Sequence, residues 1–133
     1  RANTGFLIGS EYESLLHPDG TIRVEPTMQV AGHSTVYAVG DLTDVRESKR
    51  ADAARQQARV VIANITAQIE GETPDAHYVP TKEWVILPLG PNMGASQLLD
   101  SDGQTRILGA EQTAEIKGTD LMVSVIRSQL NLP

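Results

Sequence analysis

The segment Ser34–Asp44, STVYAVGDLTD, carries an apolar, β-branched run straight into Gly40-Asp41. A carboxylate at the carboxyl end of a buried strand, ahead of a loop that feeds a helix, stands in the crevice where open sheets bind ligands. There Asp41 can accept hydrogen bonds from ligand hydroxyls, and Gly40 lets a bulky ligand approach the backbone. The helix that follows, beginning around Ala51, Ala53 and Ala54, offers free N–H groups and a partial positive charge to an electron-rich atom. On spacing alone, a Gly-Asp after a strand is more often a turn.

Other candidates are weaker. His17, His33 and His77 share no metal-like spacing and read as solvated turn residues. Asp41, Asp44 and Glu47 would make a small cation site, but a polar loop explains them equally, and no metal is assigned. The Ser in LIGSEY is not in a Gly-x-Ser-x-Gly setting. Lys117, by its position, is a helix-end cation with a favourable dipole interaction.

These residues need elements to position them. TIRVEP alternates, with Ile22 and Val24 on one face, and TVYAV reads as a compact buried strand. Pro18-Asp19-Gly20 marks a turn. Residues 51–70 form the strongest helical pattern, with Ala54, Ala58, Ile62 and Ile65 recurring at helical spacing and Gly71 at the end. Pro74 and Pro80 mark a connector. EWVILPLG and SQLLD read as strands separated by a turn at PNMGA, and TRILG returns after a hairpin-like turn at Asp102-Gly103. Two helical segments, about 110–117 and 119–131, flank Gly118. The spacing therefore predicts an α/β chain that becomes α+β in its C-terminal part.

Bulk properties exclude several classes. The 133 residues suit one modest core, and with aromatics at only 4% that core must be aliphatic. A net charge of −6 without a basic cluster argues against nucleic-acid binding. No cysteine is present, which removes disulfides and Cys-based zinc sites. No apolar run approaches the roughly 20 residues of a membrane span. The expected location is cytoplasmic. The chain starts at Arg1 rather than Met, so an upstream segment is expected to be missing.

DGTIRVEPTMQVAGHSTVYAVGDLTD resembles the second FAD-binding motif of two-dinucleotide-domain flavoprotein oxidoreductases. Gly20, Ile22 and Val24 match its first half, and Val36, Tyr37, Ala38, Gly40 and Asp41 its second. Glu25 stands where Asp is usual. The resemblance implies that Asp41 binds the ribityl chain of FAD and that the helix start at Ala51–Ala54 faces the pyrimidine side of the flavin. IKGTDLMV (116–123) and LPLGPNMGASQL (87–98) resemble the tail of the apoptosis-inducing-factor-like group, which includes the ferroptosis-suppressor quinone reductases. In that group the tail Lys lies near the flavin and quinone side, so the resemblance gives Lys117 a catalytic role beside its helix-end reading. Met93 and Gly94 either line the same cavity or pack a core. The His-Glu pair of the disulfide-reductase branch is absent.

The resemblance implies an FAD-dependent NAD(P)H oxidoreductase that passes electrons to a quinone. Neither Gly-x-Gly-x-x-Gly loop occurs in these residues. The expectation is thus a C-terminal fragment, inactive alone: residues 1–14 end a nicotinamide domain, 15–72 close an FAD domain, and 73–133 form a small C-terminal domain. Strands and apolar faces left uncovered imply a homo-oligomer. The face of DLMVSVIRSQLNL carrying Leu121, Met122, Val125, Ile126, Gln129 and Leu130 packs on the FAD domain or, alternatively, makes a peripheral membrane contact. Two rivals stand: a non-catalytic association module with an incomplete flavin motif, and a ferredoxin-reductase-type flavoenzyme.

Overall fold

A computed structural model describes residues 2–80 and 82–133. They divide into two compact units, Arg1–Thr81 and Lys82–Pro133.

The first unit is built from short extended pieces and one long helix. Ile22, Val30 and Ala38 form its buried core, with Leu15, Leu16, Val24, Val36 and Leu42 packed around them. The segments expected as strands at 22–24 and 36–39 do run extended, but they meet neighbours only in isolated bridges: Leu16 with Ile22, Val24 with Val30, Gln29 with Tyr37, and, in parallel, Ile22 with Thr43. Residues at positive φ, Met28, Gly32 and Gly40, turn the chain between these pieces. The parallel bridge matters most for the site. Ile22 N–H donates to Leu42 C=O at 2.7 Å and Asp44 N–H to Ile22 C=O at 3.0 Å, fixing the Thr43 end of the Gly40–Thr43 turn.

Helix α1, Ala51–Ile69, matches the expected span. No Gly or Pro interrupts it, and Gly71 ends it at φ +79°. The N–H of Gly71 bonds Gln68 C=O and that of Glu72 bonds Ala67 C=O, a Schellman closure. Its inward face differs from the aliphatic stripe expected. Ala53, Gln57 and Asn64 are buried, whereas Ile62 is 64%, Ile65 40% and Ile69 80% exposed. The face packed on the first unit is small and polar, and the isoleucines point away from it.

The polar residues are there to hold chain segments. Asn64, 1% exposed, donates to the carbonyls of Thr27 and Ala76 and accepts the N–H of Ala76. Gln68 donates to Ser34 C=O and accepts the Tyr37 hydroxyl. The connector after α1 is thereby fastened back along the helix, and Tyr78 N–H closes on Pro26 C=O.

The second unit is α+β, as expected. Strands β1 (Val85–Pro88), β2 (Gly94–Leu99) and β3 (Thr105–Leu108) form an antiparallel sheet in that order, with Ser96 opposite Ile86 and Leu108. Asp100 Oδ1 accepts the N–H groups of Asp102 and Gln104 and shapes the β2–β3 turn. Ser96 Oγ and Thr113 Oγ1, both buried and 2.8 Å apart, tie the sheet to α2 (Ala110–Thr113).

The tail departs from two plain helices. α2 widens into a π turn over Ala114–Gly118, and α3 spans only Val123–Gln129. Leu121 and Met122 sit at φ +56° and +63°, breaking the helix between them. Asp120 bridges the break, its carboxylate accepting the N–H groups of Met122 and Ser124 and the Ser124 hydroxyl. That hydroxyl holds the Asp120 carboxyl below its ordinary value. Among the described residues no helix is long and apolar enough to cross a membrane.

Candidate functional site

Gly40–Leu42 forms a single 3-10 turn between the extended Val39 and Thr43. Gly40 adopts φ +80°, where a side chain is strained, and a Cβ there would meet Ala54 Cβ at 3.6 Å. The glycine is thus required by backbone conformation, and its bare side faces α1. Its C=O accepts the N–H of Thr43 at 3.1 Å and the Thr43 hydroxyl at 3.0 Å. Thr43 is fully buried, so this end of the turn is anchored.

Asp41 follows with its side chain exposed, and no described donor reaches its carboxylate. It is the carboxylate of this loop left available. Asp44 accepts Val24 N–H at 3.1 Å and faces His17 Nε2 at 3.3 Å. Glu47 takes the Gln57 amide and the Tyr78 hydroxyl, each at 2.6 Å. Among the described residues no group of three or more acidic or histidine side chains is arranged to hold a metal. His77 is exposed, as expected, but two histidines are half-buried: His17 pairs with Asp44, and the His33 ring is tilted against that of Tyr12 with centroids 4.8 Å apart.

Helix α1 begins beside this turn. Arg50, extended at φ −132°, is its N-cap, and no side chain caps it. The first-turn N–H groups have no intrahelical acceptor, by helix geometry. Asp52 stands in that turn, its carboxylate accepting the Gln56 amide. Of the expected contacts, Ala54 lies against Gly40, Ala51 is exposed, and Ala53 is turned into the core at 2% exposure. The structure therefore groups Gly40, Asp41 and the first turn of α1, with Ala53 serving the packing beneath.

Lys117 belongs to the second unit, in the last part of the π turn, half-buried and with no described partner for its ammonium. The neighbouring motif residues have structural work. A Cβ on Gly118 would lie 2.5 Å from the Pro91 carbonyl oxygen, so only glycine lets this turn approach the 89–93 loop. A cleft of about 330 Å³ lined by Gly90, Pro91, Gly118, Thr119, Asp120 and Leu121 opens beside it. Met93 is 58% exposed, and Gly94 abuts Thr113 and Leu87 in the packing of β2.

Two residues not singled out by the sequence, Gln57 and Tyr78, complete the turn together with Glu47, which the sequence offers only as a cation ligand. Gly40 N–H donates to Gln57 Oε1 at 2.6 Å, Gln57 Nε2 donates to Glu47 Oε1, and Tyr78 OH donates to Glu47 Oε2. Burial and the Glu47 hydrogen bond push the Tyr78 hydroxyl up to about 12. The available signal was the pairing of Gln57 and Asn64 seven residues apart, two amides on one face of a helix.

The residues fit FAD in part. An unengaged carboxylate suits hydroxyl donors, and an uncapped helix start suits an electron-rich ring edge. A phosphate-cradling Gly-x-Gly-x-x-Gly loop is not among the 133 residues.

No family model matches the chain. It is 38% identical over 100 residues to human ferroptosis suppressor protein 1, covering 71% of this chain and 26% of that protein. It is 32% identical over 126 residues to apoptosis-inducing factor homolog B of Dictyostelium discoideum, covering 93% of this chain and 32% of the relative. It is 28% identical over 127 residues to FAD-dependent oxidoreductase FVFD30 of Flammulina velutipes, covering 96% and 39%. The chain thus spans about a quarter to two-fifths of the length of these relatives. Since two of these matches run through nearly the whole chain, both units included, the chain belongs to the family that groups ferroptosis suppressor protein 1 with the apoptosis-inducing-factor-like FAD-dependent oxidoreductases.

Proposed function

We propose that the protein works as an FAD-dependent NAD(P)H oxidoreductase with a quinone as electron acceptor, and that Asp41 is this chain's principal contact to FAD. The observation that carries the proposal is the exposed, unengaged Asp41 carboxylate on a glycine-dependent turn against the first turn of α1. The name of the Flammulina relative supports the cofactor. The tail motifs that resemble the quinone reductases support the acceptor. When bound, FAD supplies the two-electron chemistry between NAD(P)H and quinone.

The chain's own residues bind and bias. Asp41 would accept ribityl hydroxyls as a charged acceptor, stronger than a neutral one. The N–H groups of Ala51 to Ala53 in the first turn of α1 would face the electron-rich edge of the ring, while Ala54, whose N–H is taken by the Arg50 carbonyl, packs against Gly40. Ala53 keeps that turn seated. The role of Lys117, half-buried without a described counter-ion, rests on the resemblance of the tail, by which its positive charge would serve the electron acceptor. The pyrophosphate has no cradle here, so these 133 residues by themselves hold FAD weakly.

The intact protein tests this directly. Purified protein is expected to carry a flavin band near 450 nm, and Asp41→Asn to weaken FAD binding about ten- to a hundredfold, since an amide is a weaker acceptor and adds an unwanted donor. Unchanged flavin affinity in Asp41→Asn would remove the main support for the proposal.

A further inference from the structure

The Gly40-Asp41 turn is held from behind by a chain of three hydrogen bonds whose direction is fixed. A backbone N–H can only donate, so Gln57 must present its oxygen to Gly40. Its NH2 then points at Glu47 Oε1, and Glu47 Oε2 is left for the Tyr78 hydroxyl, each contact being 2.6 Å. Gln57 is 1% exposed and Tyr78 8%, so both are largely withheld from water. An amide buried on the core face of a helix is costly unless fully bonded, and an aliphatic residue there would pack more cheaply. What the amide adds is a fixed peptide plane at Gly40, the residue just before Asp41.

We infer that Glu47, Gln57 and Tyr78 form a brace that positions Asp41 for a hydroxyl-rich ligand. They act through the Gly40 peptide and do not touch the ligand. The inference rests on the reading of Asp41 as the FAD contact. The two peptides flanking Gly40 are held separately, the one after it by buried Thr43 on the Gly40 carbonyl and the one before it by the brace on the Gly40 N–H. Losing the brace frees the Val39–Gly40 peptide, and with it the φ of Gly40 that sets where Asp41 leaves the turn. Tyr78 reaches the brace from the connector beyond α1, whose course is fixed by Asn64. The charges of Arg50 and Asp52 also bear on its hydroxyl.

The bond order defines a swap that preserves it. In the double variant Glu47→Gln/Gln57→Glu, the new carboxylate accepts Gly40 N–H, the new amide donates to that carboxylate, and its oxygen accepts Tyr78 OH. All three bonds survive. Gln57→Glu alone sets two carboxylates face to face, and one shared proton restores the pattern.

FAD affinity of the intact protein is measured by titration of the apoprotein, with thermal midpoints in parallel. Gln57→Glu is expected to weaken FAD by about tenfold or more near pH 8 and to recover as the pH falls toward about 6, a pH dependence that neither the native protein nor the swap shows. The swap is expected to bind within about threefold of native. The inference is overturned if Gln57→Glu binds FAD as the native protein does, or loses affinity without regaining it at lower pH. It is equally overturned if the swap folds with a native midpoint yet fails to bind. Should Gln57→Glu fail to fold, the swap carries the test alone. Asp41→Asn in the same titration separates the two readings. If it weakens binding while Gln57→Glu does not, only the brace fails; if it binds as native, the role of Asp41 fails and takes the brace with it.

Discussion

Tyr78 and Asn64 show how single polar side chains hold the first unit together. The Tyr78 hydroxyl is raised from 10.0 to about 12 by burial first and then by its bond to Glu47. A raised value means that the folded chain holds the proton more tightly than the unfolded chain does. The stabilisation is therefore complete below about pH 10 and is lost as the pH rises through about 12. Alkaline unfolding followed by circular dichroism is expected to show this loss, and Tyr78→Phe to flatten it, although Tyr37, also raised by burial, leaves a remnant. An unchanged alkaline limb in Tyr78→Phe would contradict a raised Tyr78 hydroxyl. Asn64→Ala removes three hydrogen bonds at once and leaves buried backbone groups of Thr27 and Ala76 without a partner. The expected loss is roughly 2–4 kcal/mol by urea denaturation, more than an ordinary surface change and near the upper range for single polar deletions.

At the scale of elements, close approach decides the second unit. Gly118→Ala puts a methyl 2.5 Å from the Pro91 carbonyl, and neither the π turn nor the 89–93 loop can yield without moving the other. A destabilisation of about 1–3 kcal/mol is expected, with faster amide exchange confined to Lys82–Pro133. Exchange that rises equally in both units would argue against a local clash. What the sequence revealed of these elements follows their period. α1 and the three-stranded sheet were legible because 19 helical residues without Gly or Pro, and strands bounded by Pro-Asn and Asp-Gly, are local signals. The turn at Gly40-Asp41 was legible as a motif. Its support was not, because Glu47, Gln57 and Tyr78 meet only after the chain has folded back across separations of 10 and 31 residues. The inward face of α1 was misread for a related reason. Periodicity finds the apolar stripe, but Gln57 and Asn64 face inward because backbone groups there need partners. The break at Leu121-Met122 was hidden too, since neither is a residue type that normally takes positive φ.

For the whole molecule, the isoleucines of α1 decide how the chain behaves by itself in solution. Ile62, Ile65 and Ile69 lie one turn apart along α1, exposed by 64%, 40% and 80%. Covering three such side chains yields roughly 1.5–3 kcal/mol each at full burial, and less from partial exposure. Association costs on the order of 4–15 kcal/mol in lost freedom, so this stripe alone supports only weak pairing. The net charge of −6 opposes it at low ionic strength, and salt screens that repulsion. Residues 1–133 alone are therefore expected to show a mass that rises with concentration, and more steeply in high salt. Ile62→Glu with Ile69→Glu adds two carboxylates to the stripe without touching Ala53, Gln57 or Asn64, so the helix should remain folded while the rise disappears. Light scattering across a concentration series, with circular dichroism to confirm the helix, provides the measurement. A monomer mass that stays flat for the native chain at high concentration and high salt would show that the stripe is too weakly apolar to pair. Association that survives the double substitution would assign the contact to another surface, such as the exposed Leu121, Val123 and Leu130 of the tail.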